Sequence, residues 1–476
     1  MLTRQSIADG LRALGLASGD RVLVHSSIAA LGTIEGGPDA VIDALLDVAG
    51  PEGLVAVPTF VCSPPFDRKT SRTALGAIAD TFWRRAEALR SLHPTHSLAA
   101  IGRGAEELLH GHEKAPTAYG EGTPYHTLAM NGGKVLLMGV DQDRNTTLHT
   151  AEALVNAPYL GTVEAAYVDD SGETVTLTVP LMAGPHRDFI GLDRAFRESG
   201  LMRVGKIGSA VCRLMDGRRM IEVAVEKLRQ DPAAVLCDNP ACGDCRKQRG
   251  QIKAARLAAE GFTLSALAED IADDPERAAA ILSDEGIRDV EISGEAFIRR
   301  RGSFEKAGLR IAAIRDTLAN AEAVEAARKA GIPLIAAVST EDEFRAAAVA
   351  AAQGTPVLVE NCGAPSGMYE EWYANEPAAP GLAFNPGAFA EEGENPFLKV
   401  FYRGLLRKKL RHFYVDDRTS DGTPALPGRG NGEVKEILSM LRCRSYGGVV
   451  TLRAPQAGPE AFRETAAAFW KLLDEM

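Results

Sequence analysis

The chain has 476 residues, 45% apolar and 25% charged, a balance that suits a water-soluble globular protein but is too long for one ordinary core. A net charge of −11 argues against a nucleic-acid or anionic-membrane partner, though it leaves room for a local basic groove that takes a nucleotide. No apolar run reaches membrane-spanning length, Met1 to Gly10 lacks a signal-peptide profile, and seven cysteines make no disulfide framework here, so a cytoplasmic protein with reduced thiols or a metal site is expected.

Residues 3–17 carry Ile7, Leu11, Leu14 and Leu16 at helical spacing. Arg21 to His25 reads as a strand. It runs through Ser26-Ser27 and a glycine-containing loop into a helix opened by Pro38-Asp39 and ended at Gly50. Strand, small polar loop and helix can frame an anion at backbone amides, although many such turns bind nothing. Gly53 to Phe60 is a second buried strand, and Trp83 to Leu89 is predicted as an amphipathic helix. The latter leads into His93-Pro94-Thr95-His96-Ser97, where Pro94 disfavours a regular helix and no acidic partner lies close by. Packing and hydrogen bonding therefore rank above metal ligation for these two histidines. His110 and His112 sit in a polar helix end and are expected in solvent.

Lys134 to Val140 is an apolar, branched run that predicts a buried strand, followed by the polar crest Asp141-Gln142-Asp143-Arg144. Asn145 or Thr146 can cap the helix that follows, with Leu148, Ala151, Leu154 and Val155 as its apolar stripe. His149 then lies in the first turn at the end of a strand, where open α/β sheets place their ligands, with Glu152 on the same face. The positive end of a helix favours the neutral imidazole that a general base needs, and Asp141 or Asp143 could fix its tautomer. Together with the Thr147 hydroxyl, this group suits deprotonation of an amine or hydroxyl attacking an acyl group. A histidine making a local cap bond is the plainer reading of the same pattern.

Tyr159 to Val179 alternates as a hairpin turning at Asp170-Ser171-Gly172. Cys237, Cys242 and Cys245 form C-x4-C-x2-C, with Cys212 upstream in a different predicted element. These four could close a tetrahedral structural zinc site, or be ordinary thiols with one redox-sensitive pair. From about Gln251, alanine-rich helices alternate with eight short apolar strands: 264–267, 290–292, 309–314, 333–338, 356–359, 381–384, 412–415 and 449–452. That alternation predicts a (β/α)8 TIM barrel with Glu291, Glu360, Asn361, Asn385, Asp417 and Arg453 at the catalytic strand ends.

The segments LVHSSIAALGTIEGG (23–37), VPTF (57–60), HPTHSLAAIG (93–102), GTPYHTLAMNGGKVLLMGV (122–140) and NTTLHTAE (145–152) occur in one order and spacing that resembles the aminoglycoside 3-N-acetyltransferase family. The resemblance spans residues 1–250 and implies the α/β antibiotic N-acetyltransferase fold, unrelated to GCN5-like enzymes. It also implies acetyl-coenzyme A as cosubstrate and a small-molecule amine, aminoglycoside-like or an amino sugar, as acceptor. His149 falls on the family's catalytic base and Glu152 on its carboxylate, expected to hold the incoming ammonium, with Asp143 and Thr147 completing the expected catalytic set. Ser26, Ser27, Leu31 and Gly32 fall where coenzyme A is held, and Thr95, His96 and Ser97 where the acetyl-donor pocket is lined, near Tyr125. Thr123-Pro124-Tyr125 replaces the usual serine-led block, and the sequence looks like the environmental branch of the family, which leaves the acceptor undetermined.

The segments VEIS (290–293), PVLVENCG (356–363), FYVDDR (413–418), LPGRGNGEV (426–434) and YGGVVTLR (446–453) resemble the sugar phosphate isomerase/epimerase family related to xylose isomerase. Asn385, Tyr414 and Arg453 stand where that family has an aspartate, a histidine and a glutamate. A guanidinium among hard-cation ligands repels the metal, so residues 251–476 read as a non-catalytic barrel. Arg453 and the Gly428–Gly432 loop could still hold a sugar or phosphate. Isomerase or epimerase activity, or a carbohydrate-binding barrel serving the transferase, are the alternatives, and self-association is left open.

Overall fold

The computed structural model describes residues 1–61, 65–182, 186–376, 378–402 and 404–476. The chain packs as two units, Met1–Gln248 and Arg249–Met476.

The first unit is organised by strands β1 (Arg21–Ser26), β2 (Leu54–Pro58), β3 (Leu89–Arg90), β4 (Leu98–Gly102) and β5 (Lys134–Met138). A hairpin of β6 (Leu160–Val168) and β7 (Thr174–Met182) follows, then β8 (Met202–Ile207) and β9 (Ala210–Asp216). Seven of these form one sheet in the order β3-β4-β2-β1-β5-β9-β8, with β2, β1 and β5 parallel at its centre. The central strands are apolar on both faces because both faces are covered. Val22 and Val24 join one hydrophobic cluster, with Ile7, Leu11, Val41 and Leu45, while Leu23 between them joins the other, with Leu108, Tyr125 and Leu128.

Two local expectations fail. The predicted Trp83–Leu89 helix is instead a helix over Ala77–Phe82 that stops at Trp83, because Leu89 and Arg90 are taken by the sheet, paired with Ala100 and Ala99. Asn145 does not cap the helix before His149: its side chain turns inward to donate to Gln142 Oε1, and the chain makes a short 3-10 turn over Thr146–Leu148 before helix His149–Leu154. Gly139 makes this junction possible. It has φ +72°, and a Cβ there would stand 2.6 Å from Ala30 Cβ, so β5 ends tightly against the short helix Ile28–Leu31 that follows β1.

The second unit is a closed barrel of eight parallel strands, β10 (Thr263–Leu267), β11 (Asp289–Ser293), β12 (Arg310–Arg315), β13 (Leu334–Val338), β14 (Val357–Asn361), β15 (Gly381–Phe384), β16 (Leu410–Val415) and β19 (Val449–Leu452). A small ribbon of β17 (Asp417–Arg418) and β18 (Pro424–Ala425) interrupts the last crossover. Helices such as Gly294–Lys306 and Glu341–Ala352 return the chain between parallel neighbours, and their apolar faces pack with the strands into one cluster. Among the described residues no helix is long and apolar enough to cross a membrane.

Candidate active site at the ends of strands β1, β2 and β5

The chain leaves β1 toward β2 on one side, while β5 pairs with β1 on the other. The loops at their carboxyl ends therefore part and leave a crevice. A cavity of about 600 Å³ lies there, lined by His25–Ala29 at and beyond the end of β1, Val57, Pro58 and Phe60 at the end of β2, Ala74–Ala77, and Asp143–Thr146 with His149 after β5.

His149 is held on every side but one. Its Nδ1–H donates to Glu152 Oε2 at 2.5 Å, and its ring lies 4.9 Å from those of Tyr119 and Phe189. A carboxylate can only accept, so the proton of the neutral ring sits on Nδ1 and Nε2 is left basic. The imidazole is 18% exposed and opens on the cavity, whereas Glu152 is fully buried. The second Glu152 oxygen accepts from Arg187 Nε, and Arg187 is itself fixed by its Nη1 bond to the His186 carbonyl. Burial alone would raise the Glu152 pKa, but the facing imidazole and guanidinium outweigh it and hold the carboxyl below its ordinary range.

Glu152, not Asp143 or Asp141, orients His149, and with both oxygens engaged it is not placed to receive an ammonium from the cavity. Asp141 pairs with Arg213 at 2.7 Å, and Asp143 lies beside Arg144 on the cavity wall. Thr147 is buried off the cavity, its hydroxyl without a hydrogen-bond partner among the described residues, because the 3-10 turn rotates it inward.

Ser26 and Ser27 line the cavity, but Leu31 is a core residue and Gly32 ends the short helix behind it. The Ser27 N–H is committed to the Met138 carbonyl and the Ala30 N–H to Ser27 Oγ, so these two amides are not open to an anion. Ser97 is buried and Thr95 and His96 are half-buried, and none of the three is on the cavity wall. Ser97 Oγ donates to the Thr59 carbonyl, and His96 bonds Thr95 Oγ1 on one nitrogen and the Tyr119 hydroxyl on the other. His96 also packs edge-on against the cavity residue Phe60. His112, expected in solvent, is buried, stacked on His93 and bonded to Ser91. Burial lowers the pKa of each of these histidines, His93 to about 4.

Sequence reasoning missed three contributors. His25 lines the cavity with a buried Nε2 that has no partner among the described residues, its pKa pushed by burial down to about 3. Tyr119 and Phe189 clamp the His149 ring from distant segments, which no local pattern announces. The cysteine expectation also changes. Cys212 lies in the core of β9, while Cys237, Cys242 and Cys245 converge on His186, from the segment before Arg187.

At the carboxyl ends of the barrel strands, ionised groups face one another. Arg453 Nη1 lies 2.7 Å from Glu360 Oε1 and 3.2 Å from Asp416 Oδ2, with its guanidinium 4.0 Å from the centre of the Tyr414 ring. Asn385 Nδ2 donates to the same two carboxylates, and Tyr414 O–H donates to Glu291 Oε2. The Gly428–Gly432 loop is not open to a phosphate. The N–H groups of Gly428, Gly430 and Gly432 all donate to the Asp417 carboxylate, which approaches so closely that a Cβ on Gly430 would stand 2.4 Å from it.

Residues 23–229 match a family model described as aminoglycoside 3-N-acetyltransferase. Aminoglycoside N(3)-acetyltransferase IV from Salmonella sp is 34% identical over 242 residues, which cover 50% of this chain and 90% of that protein. A solved aminoglycoside acetyltransferase apoenzyme is 31% identical over 52% of this chain and 97% of its own, with a TM-score of 0.49. Another solved relative, in a binary complex with CoASH, is 31% identical over 48% of this chain and 96% of its own, with a TM-score of 0.45.

Proposed function

We propose that this chain, which belongs to the aminoglycoside 3-N-acetyltransferase family and is an acyltransferase, moves an acetyl group from acetyl-coenzyme A to an amine of an aminoglycoside-like or amino-sugar compound. The observation that carries the reading is the His149–Glu152 pair opening on the cavity at the ends of β1, β2 and β5. The acceptor amine must lose a proton as it attacks the thioester carbonyl, and Nε2 of His149 is the base positioned to take it. Buried Glu152 keeps Nδ1 protonated, holds the ring and balances the imidazolium that forms; Arg187 keeps Glu152 ionised. Collapse of the tetrahedral intermediate expels the coenzyme A thiolate, which is protonated to the thiol. Asp143 and Ser26, on the cavity wall, are the groups we assign to the cationic acceptor and the coenzyme respectively.

For the barrel we propose a TIM-type, non-catalytic role in acceptor binding or assembly, because its strand-end charges are committed to one another. A cytoplasmic setting fits the use of acetyl-coenzyme A.

The test is release of coenzyme A thiol from acetyl-coenzyme A in the presence of a panel of aminoglycosides and amino sugars. Wild-type protein should release thiol only with an amine present, and His149→Gln should lower turnover by about two to four orders of magnitude. Equal turnover by a folded His149→Gln variant would remove His149 from the chemistry.

A further inference from the structure

His186, Cys237, Cys242 and Cys245 bring one ring nitrogen and three sulfurs together, all within 4.8 Å of one another, outside the catalytic cavity. His186 Nδ1 stands 3.2 Å from Cys245 Sγ and 3.5 Å from Cys242 Sγ. A tetrahedral zinc with sulfur at about 2.3 Å and nitrogen at about 2.0 Å has S···S edges of roughly 3.8 Å and S···N edges of roughly 3.6 Å. Both of these nitrogen–sulfur distances lie close to such edges, and no two of the four atoms are more than 4.8 Å apart. A single disulfide would account for only two of the sulfurs and leave the imidazole unexplained.

The Cys242 carbonyl accepts from the Arg246 N–H at the start of helix Gly243–Glu260, so Cys242 stands just before its first turn and Cys245 within it. Soft thiolates with one imidazole select zinc over magnesium or calcium, and four protein ligands leave no open position for substrate.

We infer that these four side chains form a closed Cys3His structural zinc site that fixes the segment carrying Arg187. The metal would hold His186, whose carbonyl accepts from Arg187 Nη1, while the Asp188 N–H is bonded to the Val235 carbonyl two residues before Cys237. Arg187 then meets Glu152, and Glu152 meets His149. His186 is thus a positioning residue for the base, a consequence that rests on the acetyl-transfer reading; the metal site itself does not.

The full chain, expressed with zinc and purified without chelator, should contain about one zinc per chain by elemental analysis. Cobalt(II) exchanged into it should show intense sulfur-to-metal charge-transfer absorption and tetrahedral ligand-field bands. Cys242→Ser should lose most of the metal, whereas Cys212→Ser should keep it. His186→Cys should keep the metal, while His186→Ala should shift the cobalt ligand-field bands and retain charge transfer. Among these, His186→Cys should preserve the pH profile of acetyl transfer and His186→Ala should displace it. Less than a tenth of an equivalent of zinc, with a melting temperature unmoved by chelator, would overturn the site. So would a Cys242–Cys245 disulfide in protein purified anaerobically, a measurement on wild type that needs no variant to fold.

Discussion

Each unit buries a glutamate against an imidazole, and the two pairs differ in what they leave over. In the first, Glu152 bonds Nδ1 of His149 and the opposite edge of the ring faces a cavity. In the barrel, His412 is fully enclosed, with Nε2 2.8 Å from both Glu291 Oε1 and Thr451 Oγ1, and Tyr414 closes the other Glu291 oxygen. The residue types are the same, and so is the low-dielectric setting that makes such pairs strong. A pair of this kind becomes chemistry only where one nitrogen remains accessible and unspent; otherwise it is a bolt.

The sharpest way to break that comparison is to neutralise each glutamate in turn. Glu152→Gln keeps the shape but removes the charge that favours the imidazolium, and should lower acetyl-transfer turnover by about two to three orders of magnitude. Glu291→Gln should leave turnover within about twofold and lower the denaturant stability of residues 249–476 by about 3 kcal/mol, because one member of a buried pair is left without its counterpart. Similar loss of turnover in both variants would mean that the barrel pair takes part in the reaction.

Acid should separate the units next. In the first unit, burial pulls His25 down to about 3 and His93 to about 4 from the ordinary 6.5, and His96 and His112 move the same way. The unfolded chain then binds more protons than the folded one, so this unit should lose stability as pH falls below about 6.5. In the barrel, burial would raise Glu291 and Glu360, but His412 and Arg453 respectively outweigh it, so both fall below the ordinary 4.5. Their contribution is complete above that value and lost beneath it. Hydrogen exchange, corrected for intrinsic rates, should show the first unit opening between pH 6 and 5 while the barrel stays protected. Parallel loss of protection would count against the buried-histidine account.

The smallest effect concerns the cavity wall. Ser26→Ala should raise KM for acetyl-coenzyme A about fivefold, the worth of one net hydrogen bond, and leave kcat unchanged. An unaltered KM would remove Ser26 from the coenzyme's contacts.

What the sequence discloses is local order and repeated order. The apolar run of β5 and the histidine just beyond it can be read because strand, turn and helix are contiguous. The eight barrel strands can be read because the alternation recurs. What fails depends on residues far apart in the chain. His186 lies 51 residues before Cys237, Tyr119 reaches His149 from another segment, and His112 is drawn inward by Ser91 and His93. Glu152 shows the limit even within one helix: its position is apparent, but that it orients the base, and does not greet the substrate, is decided by Arg187.

Asp417 gives the barrel loop a ligand that travels with it. Its two oxygens take the amides of Gly428, Gly430 and Gly432, the arrangement a free phosphate would otherwise use. A tethered group competes at an effective concentration of about millimolar or more, and it is never diluted. Any anion arriving from solution meets a seat already filled by mass action, so the loop keeps its shape whatever the ionic composition around it.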